Sequence, residues 1–205
     1  MTVAQEDIAD PPRVATARDL DGLTTTVSAA FFDDPLWSWA FPDRSRLAPW
    51  WRFLIASALR YPCVWVAGPI AAASVWIPPG GTELTKEEED RVEPLMVELV
   101  GSRAPAVMDL LGRFDASHPR DEPHYYLSLL GTHPEHRGRG LGMALLAHNL
   151  SQMDAEGLPA YLESSNPEND ERYERLGFVK VGAFSTPDDA HTVATMWREP
   201  RPQPR

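Results

Sequence analysis

Hydrophobic positions along this chain recur at two periods, and each change of period marks a boundary between elements. Leu20, Leu23, Val27 and Phe31 step by three and four, which sets them on one helix face. Thr16 and Asp19 have capping-box spacing at its start, and Asp33-Asp34-Pro35 reads as its stop. A second helix is predicted from about Asp43, with Leu47, Trp51, Leu54 and Ala58 on one stripe and Pro62 at its end. The period then shortens. The β-rich runs 63–67 and 71–77 flank Gly68-Pro69 and read as a hairpin, which Pro78-Pro79-Gly80-Gly81 breaks off.

Helical spacing returns from there to about Phe114. Thr85 and Glu88 make a second capping box, and Val92, Met96 and Leu99 form a stripe that Pro94 kinks or restarts. A break at Gly101 and Pro105 precedes a short helix carrying Val107, Leu110, Leu111 and Phe114. The cluster Glu83, Glu87, Glu88, Glu89, Asp90 and Glu93 reads as a solvated helix face.

The second half alternates strand and helix. Strands are predicted over 124–132, 160–165, 178–183 and 192–197, helices over 141–156 and 167–176, and a Gly-rich turn over 135–140. A strand–helix–strand unit implies a parallel pair, with ligands where strand ends meet helix starts. The predicted class is α/β or α+β with a mixed sheet. Segments 1–12 and 200–205 are polar and Pro-containing and are expected to be disordered, leaving a single domain over 13–199.

Composition bounds the partners. The 205 residues carry 19 Lys+Arg and 30 Asp+Glu, a net charge of −11, and 43% are hydrophobic, enough for a real core. That acidity argues against nucleic-acid or anionic-membrane binding. No apolar run approaches the ~18 residues of a membrane span, and the acidic first residues are not expected to act as a signal peptide. Cys63 is the only cysteine, so no intrachain disulfide forms, no zinc cage or other metal site is expected, and a cytoplasmic location is.

One segment runs against the acidic background. Arg137-Gly138-Arg139-Gly140-Leu141-Gly142, next to His133 and His136, is the densest basic stretch and joins a strong strand to a strong helix. Free amides at a helix start accept anions, and glycines let a pyrophosphate approach the backbone. A P-loop would close on Lys-Ser/Thr, which is missing here. A dinucleotide fold fits less well, because the glycines step by two and two helices and a hairpin precede the unit, although Glu163 lies about twenty residues on.

These residues resemble a known family. The stretch Arg137–Gly142 matches R-x-x-G-x-G, the acetyl-CoA pyrophosphate motif of the GNAT N-acetyltransferases. Leu129-Leu130-Gly131-Thr132-His133-Pro134 before it and Tyr173-Glu174-Arg175-Leu176-Gly177-Phe178 after it are similar to that family's flanking segments. The nearest likeness is to the puromycin N-acetyltransferase branch, through Leu162-Glu163-Ser164-Ser165, Asn169, Tyr173 and Val75-Trp76.

The resemblance implies a mostly antiparallel mixed sheet with a splayed parallel strand pair, flanked by helices. It implies acetyl-CoA as co-substrate and CoA as product, with pantetheine along Leu129, Leu130 and Gly131 and pyrophosphate on Arg137, Gly138, Arg139, Gly140, Leu141 and Gly142. Asn166 and Asn169 would sit beside the pantetheine, and Asn166 equally suits a helix cap. Tyr173 would protonate the leaving thiolate, since a phenol of pKa about 10 holds its proton at neutral pH; an aromatic plug is its plainer role.

Glu163 would act as general base, directly or through water, or else anchor a loop; His124 and Ser128 are weaker candidates. Asp34, with Asp33, would suit an amine-binding mouth or simply stop a helix. Trp37, with Trp39, Phe41, Trp50 and Trp51, would form an acceptor wall or pack the core. Cys63 reads as a small buried strand residue. The implied activity is direct acetyl transfer to a primary amine of a small-molecule or peptide acceptor, by a monomer or homodimer. A non-catalytic acyl-CoA sensor and a protein N-acetyltransferase are the alternatives.

Overall fold

The computed structural model describes residues 11–202. Of the segments expected to be disordered, 1–10 and 203–205 lie outside the described residues, while Arg201 donates its backbone N–H to Asp154 at 2.7 Å. The chain runs β1 (Arg13–Val14), α1 (Leu20–Ala30), α2 (Pro35–Ala40), α3 (Leu47–Ala58), β2 (Val64–Ala67), β3 (Ala72–Ile77), α4 (Lys86–Glu89), α5 (Val92–Val100) and α6 (Ala104–Ser117). It continues through β4 (Tyr125–Thr132), α7 (Leu141–Glu156), β5 (Ala160–Ser164), α8 (Asp170–Arg175), β6 (Val179–Ser185) and β7 (Thr192–Arg198). The strands form one seven-stranded sheet ordered β1-β2-β3-β4-β5-β7-β6. Among the described residues only β4 and β5 pair in parallel, as the strand–helix–strand pattern requires.

Alternate strand residues feed two cores. Val75, Ile77 and Leu129 pack with Val27, Trp51, Met96 and Leu110 on one face, while Trp76, Leu127 and Leu162 pack with Leu146, Leu150 and Met153 of α7 on the other. Leu127 and Leu129 would share a face in a regular strand, yet they enter opposite cores. The β3–β4 register explains this: Val75 pairs with Leu129 and Trp76 with Leu127, so Ser128 is the extra residue of a bulge. The parallel ladder ends at the same level, on Leu127 and Leu162. From Ser128 onward β4 leaves β5, and the sheet opens.

Local chemistry corrects several sequence expectations. Asp33-Asp34-Pro35 follows the end of α1 but also begins α2: Asp34 accepts a hydrogen bond from the Trp37 N–H at 3.1 Å and Pro35 takes the first helical position. Pro94 produces no kink, because it lies in the first turn of α5, where a backbone N–H has no intrahelical partner. Pro105 is likewise tolerated at the start of α6, which runs 14 residues rather than a short stretch. Glu87, Glu89, Asp90 and Glu93 are exposed, as a solvated face should be, but Glu83 precedes the Thr85 cap of α4 and turns inward. Gly131 lets α1 approach β4 closely; a Cβ there would stand 2.8 Å from the Ala30 Cβ.

Candidate active site

A cleft of about 1320 Å³ follows the opening between β4 and β5, from the start of α7 to the aromatic residues of α2 and α3. Leu129, Leu130 and Gly131 line it from the stretch of β4 that no longer pairs with β5. At one end lies the glycine turn. Gly138 and Gly140 adopt φ of +79° and +74°, which a side chain would strain. Gly140 is the N-cap of the 16-residue α7 and offers no side chain, so no protein group caps the first amides. Gly142 seats α7 against the end of β4, since a Cβ there would meet the Thr132 Oγ1 at 2.6 Å.

Arg137, Gly138, Gly140, Leu141 and Gly142 line this end of the cleft, whereas Arg139 is exposed and stands outside the lining. Arg137 donates to the Ala30 carbonyl at 2.8 Å and so straps the turn to the end of α1. Beside it the His136 Nδ1 is buried without a partner. Uncapped amides, an unpaired strand edge and an orphaned imidazole nitrogen in one groove fit an extended amide arm ending in a pyrophosphate. Acetyl-CoA has that shape and charge.

The titratable groups gather where the sheet opens. Glu163 follows the last residue of the parallel ladder; burial raises its carboxyl to about 8, against the pull of the Tyr126 and Tyr161 phenols, and the nearby Glu83 charge adds to the rise. Glu83 accepts a short hydrogen bond from the Ser128 hydroxyl, and burial raises its pKa too. Tyr126 stays a phenol well beyond neutral pH, through burial and then the Glu163 and Glu83 charges. Tyr161 donates to the Ser117 carbonyl at 3.2 Å. His118 and His124 stand with their Nε2 atoms 3.2 Å apart; burial, then the His124 ring, lowers His118 to about 4 and keeps it neutral.

Tyr173, carried on α8, packs edge-on against Phe178 at 6.1 Å and lines the same cleft. Burial, with Asp34 and Asp170 nearby, raises its pKa to about 12. Asn166 accepts from the Glu168 N–H at 3.1 Å, and Asn169 accepts from Arg172 at 3.2 Å; both reach the cleft while serving local structure. Asp34 also accepts from the Ser165 Oγ at 2.7 Å, clamping the start of α2 to the end of β5. Its two oxygens are thus engaged in the framework. Trp37 is buried edge-on to Trp51 at 4.7 Å and stacked on Phe114 at 6.2 Å, so it packs the core and walls the cleft at once.

The structure therefore gathers Glu163, Tyr173, Asp34, Trp37, Asn166, Asn169, the β4 residues and most of the glycine turn around one cavity, and leaves out Arg139 and, of the aromatic residues, Trp39 and Phe41. Sequence reasoning missed Glu83, Tyr126 and His118. A signal for Glu83 was present, because a helix capped by Thr85 cannot carry residue 83 on its face.

Comparison with known proteins agrees with this arrangement. Residues 27–178 match the model of the acetyltransferase (GNAT) family. An uncharacterized N-acetyltransferase of the fission yeast Schizosaccharomyces pombe is 26% identical over 202 residues, covering 90% of this chain and 81% of its own. A histone acetyltransferase HPA2-related acetyltransferase from Corynebacterium glutamicum superposes with a TM-score of 0.67 at 24% identity, covering 94% of this chain and 97% of its own. Arylalkylamine N-acetyltransferase 2 from Aedes aegypti gives a TM-score of 0.69 at 15% identity, over 93% and 99% of the two chains. The bulged, splayed strand pair with an uncapped glycine turn at its end, and a family match across three-quarters of the sequence, place this chain in the GNAT acetyltransferase family.

Proposed function

We propose that this chain transfers an acetyl group from acetyl-CoA directly to the primary amine of a small-molecule acceptor. One observation carries the reading: a carboxyl raised to about 8 and a phenol raised to about 12 open into the same cleft, whose far end is an uncapped helix start. Acetyl-CoA supplies an activated thioester. The α7 amides and the unpaired edge of β4 would hold its pyrophosphate and its amide arm. Glu163 takes a proton from the acceptor nitrogen, which then attacks the carbonyl carbon, and the Tyr173 phenol donates to the departing sulfur. A phenol of this pKa is fully protonated at neutral pH, as a donor must be. The neutral phenols around Glu163 limit how many waters reach it.

Acidic groups and indole rings around the acceptor end favour a cation with an apolar body. The fold likeness to an arylalkylamine N-acetyltransferase supports the same class. The likeness to the puromycin N-acetyltransferase branch rests on residues 162–165, Asn169 and Tyr173, which line the cleft, and on Val75-Trp76, which do not. The test is free-thiol release from acetyl-CoA with arylalkylamines, aminonucleosides, polyamines and peptide N-termini as acceptors. Amine-dependent release supports the reading, and acetyl-CoA binding without release for any amine refutes it in favour of a sensor.

A further inference from the structure

We propose that Glu83 and Glu163 together form a two-carboxylate seat that takes the acceptor as its ammonium ion and sheds one proton to solvent as it does so. The inference rests on the amine-transfer reading above and adds to it the charge state of the acceptor and a role for Glu83.

The geometry comes first. Both carboxylates line the cleft, one from β5 and one from the loop ahead of α4, and Tyr126 of β4 lies within the field of both. Glu83 is held by the hydroxyl of Ser128, the bulge residue, so it is fixed where β4 parts from β5. No lysine lines the cleft, and its arginines are engaged elsewhere: Arg120 with Asp115, Arg137 with the Ala30 carbonyl, Arg172 with Asn169 and Arg175 with Glu171. Arg60, the cation that faces Glu83, donates to the Ser57, Thr82 and Glu83 backbone carbonyls rather than to the carboxylate. Facing Glu163 are the phenols of Tyr126 and Tyr161. Among the described residues, these two carboxylates are therefore left without an ion-pair partner in one recessed site.

Such a pair does not keep two charges at neutral pH. Burial and mutual repulsion hold a proton on it: Glu163 is raised to about 8, and Glu83 is raised by burial as well. An arriving ammonium supplies the missing counter-ion and three N–H donors, so both carboxylates ionise and the Glu163 proton leaves for solvent. In the reaction the ammonium then passes one proton to Glu163 as the N–C bond forms and the C–S bond breaks. Tyr173 protonates the sulfur, and the second nitrogen proton restores the phenol. The seat ends as it began, and the one proton the overall reaction releases has left at binding rather than at bond exchange. The seat selects alkylammonium ions over alcohols of the same shape and over anilines, which are neutral at this pH.

The test titrates CoA-loaded protein with 2-phenylethylamine by calorimetry at pH 7, in two buffers of different ionisation enthalpy. Wild type is expected to release about one proton per amine bound. Glu163→Gln should release none. Glu83→Gln keeps an oxygen for Ser128 and should release less than half as much while binding the amine about tenfold more weakly. The neutral analogue 2-phenylethanol should bind wild type at least about tenfold more weakly than the amine and release no proton. Amine binding without proton release, equal binding of the alcohol, or no amine binding overturns the proposal. Thiol release with this amine but no proton release on binding sinks the seat and leaves acetyl transfer standing; proton-releasing binding without thiol release does the reverse.

Discussion

Glu163 allows a sharp pH test, because its ionisation must gate the reaction if it accepts the acceptor's proton. With a carboxyl at about 8, about one molecule in a hundred has Glu163 ionised at pH 6, about one in eleven at pH 7 and half at pH 8. The acid limb of kcat/KM for the amine reports the free enzyme. It should climb about ninefold from pH 6 to 7, about fivefold from pH 7 to 8 and less than about twofold from pH 8 to 9. The measurement is thiol release at saturating acetyl-CoA, read with dithiodipyridine, which works at acid pH. Glu163→Gln should lose the limb along with most of the rate. Glu83→Gln should move it to lower pH, because the Glu83 charge is one of the causes holding Glu163 up. A flat profile between pH 6 and 8, or a limb unchanged in Glu163→Gln, refutes the assignment. Stability gives a second readout. The folded carboxyl binds its proton more tightly than the unfolded one, with a reference value of 4.5, so the folded state holds more protons between about 4.5 and 8. Stability must then fall as pH rises through that window, and Glu163→Gln should be the more stable protein at pH 8.

Tyr173→Phe keeps the ring against Phe178 and removes the donor, so kcat should fall about 10²- to 10⁴-fold while acetyl-CoA affinity holds; unchanged turnover excludes the phenol. Gly131→Ala drives a methyl to 2.8 Å from the Ala30 Cβ and should cost about 1–3 kcal/mol in urea unfolding, with recovery in the double variant carrying Ala30→Gly. No recovery would mean the close approach of α1 is not the cause. Arg198 is buried and donates to both Asp154 oxygens, at 2.7 and 2.8 Å, and to the Leu176 carbonyl at 2.9 Å. Arg198→Ala strands a carboxylate and should cost about 3–5 kcal/mol, seen as a lower urea midpoint at unchanged slope.

Much of the fold was legible because it is written in short-range chemistry. The α1 stripe, the Thr85 cap, the hairpin around Gly68-Pro69 and the β4–α7–β5 unit each follow from spacing and capping residues within one element. The glycine turn was legible for the same reason: only glycine readily takes a φ near +79° or leaves a helix start uncapped. What escaped depends on contacts distant in sequence. Asp34 looked like a helix stop or an amine ligand, and its second partner, Ser165, lies 131 positions away. Glu83 looked solvated because five acidic neighbours are near it, and only the approach of Ser128, 45 positions on, turns it inward. Trp37 offered a choice between core and cleft that dissolves in three dimensions, since the ring does both.

The bulge at Ser128 is the hardest feature to read and the one on which the site depends. Nothing in Tyr125–Thr132 marks it locally: the strand has no proline and its one glycine, Gly131, lies three positions on. Buried and half-buried positions still alternate past it, so the pattern looks regular. The bulge shows in which core each residue enters, because Leu127 joins the α7 side and Leu129 the opposite one. That single inserted residue shifts the register against β3, coincides with the end of pairing with β5 and aims a hydroxyl at Glu83. A regular strand would continue the ladder and close the groove between Leu129 and Glu163. The acidic seat at one end and the uncapped α7 at the other would then be separate surface features. With the bulge they share one cavity, which carries two carboxylates, Glu83 and Glu163, where the strands part and the basic turn at its far end, against a chain whose net charge is −11.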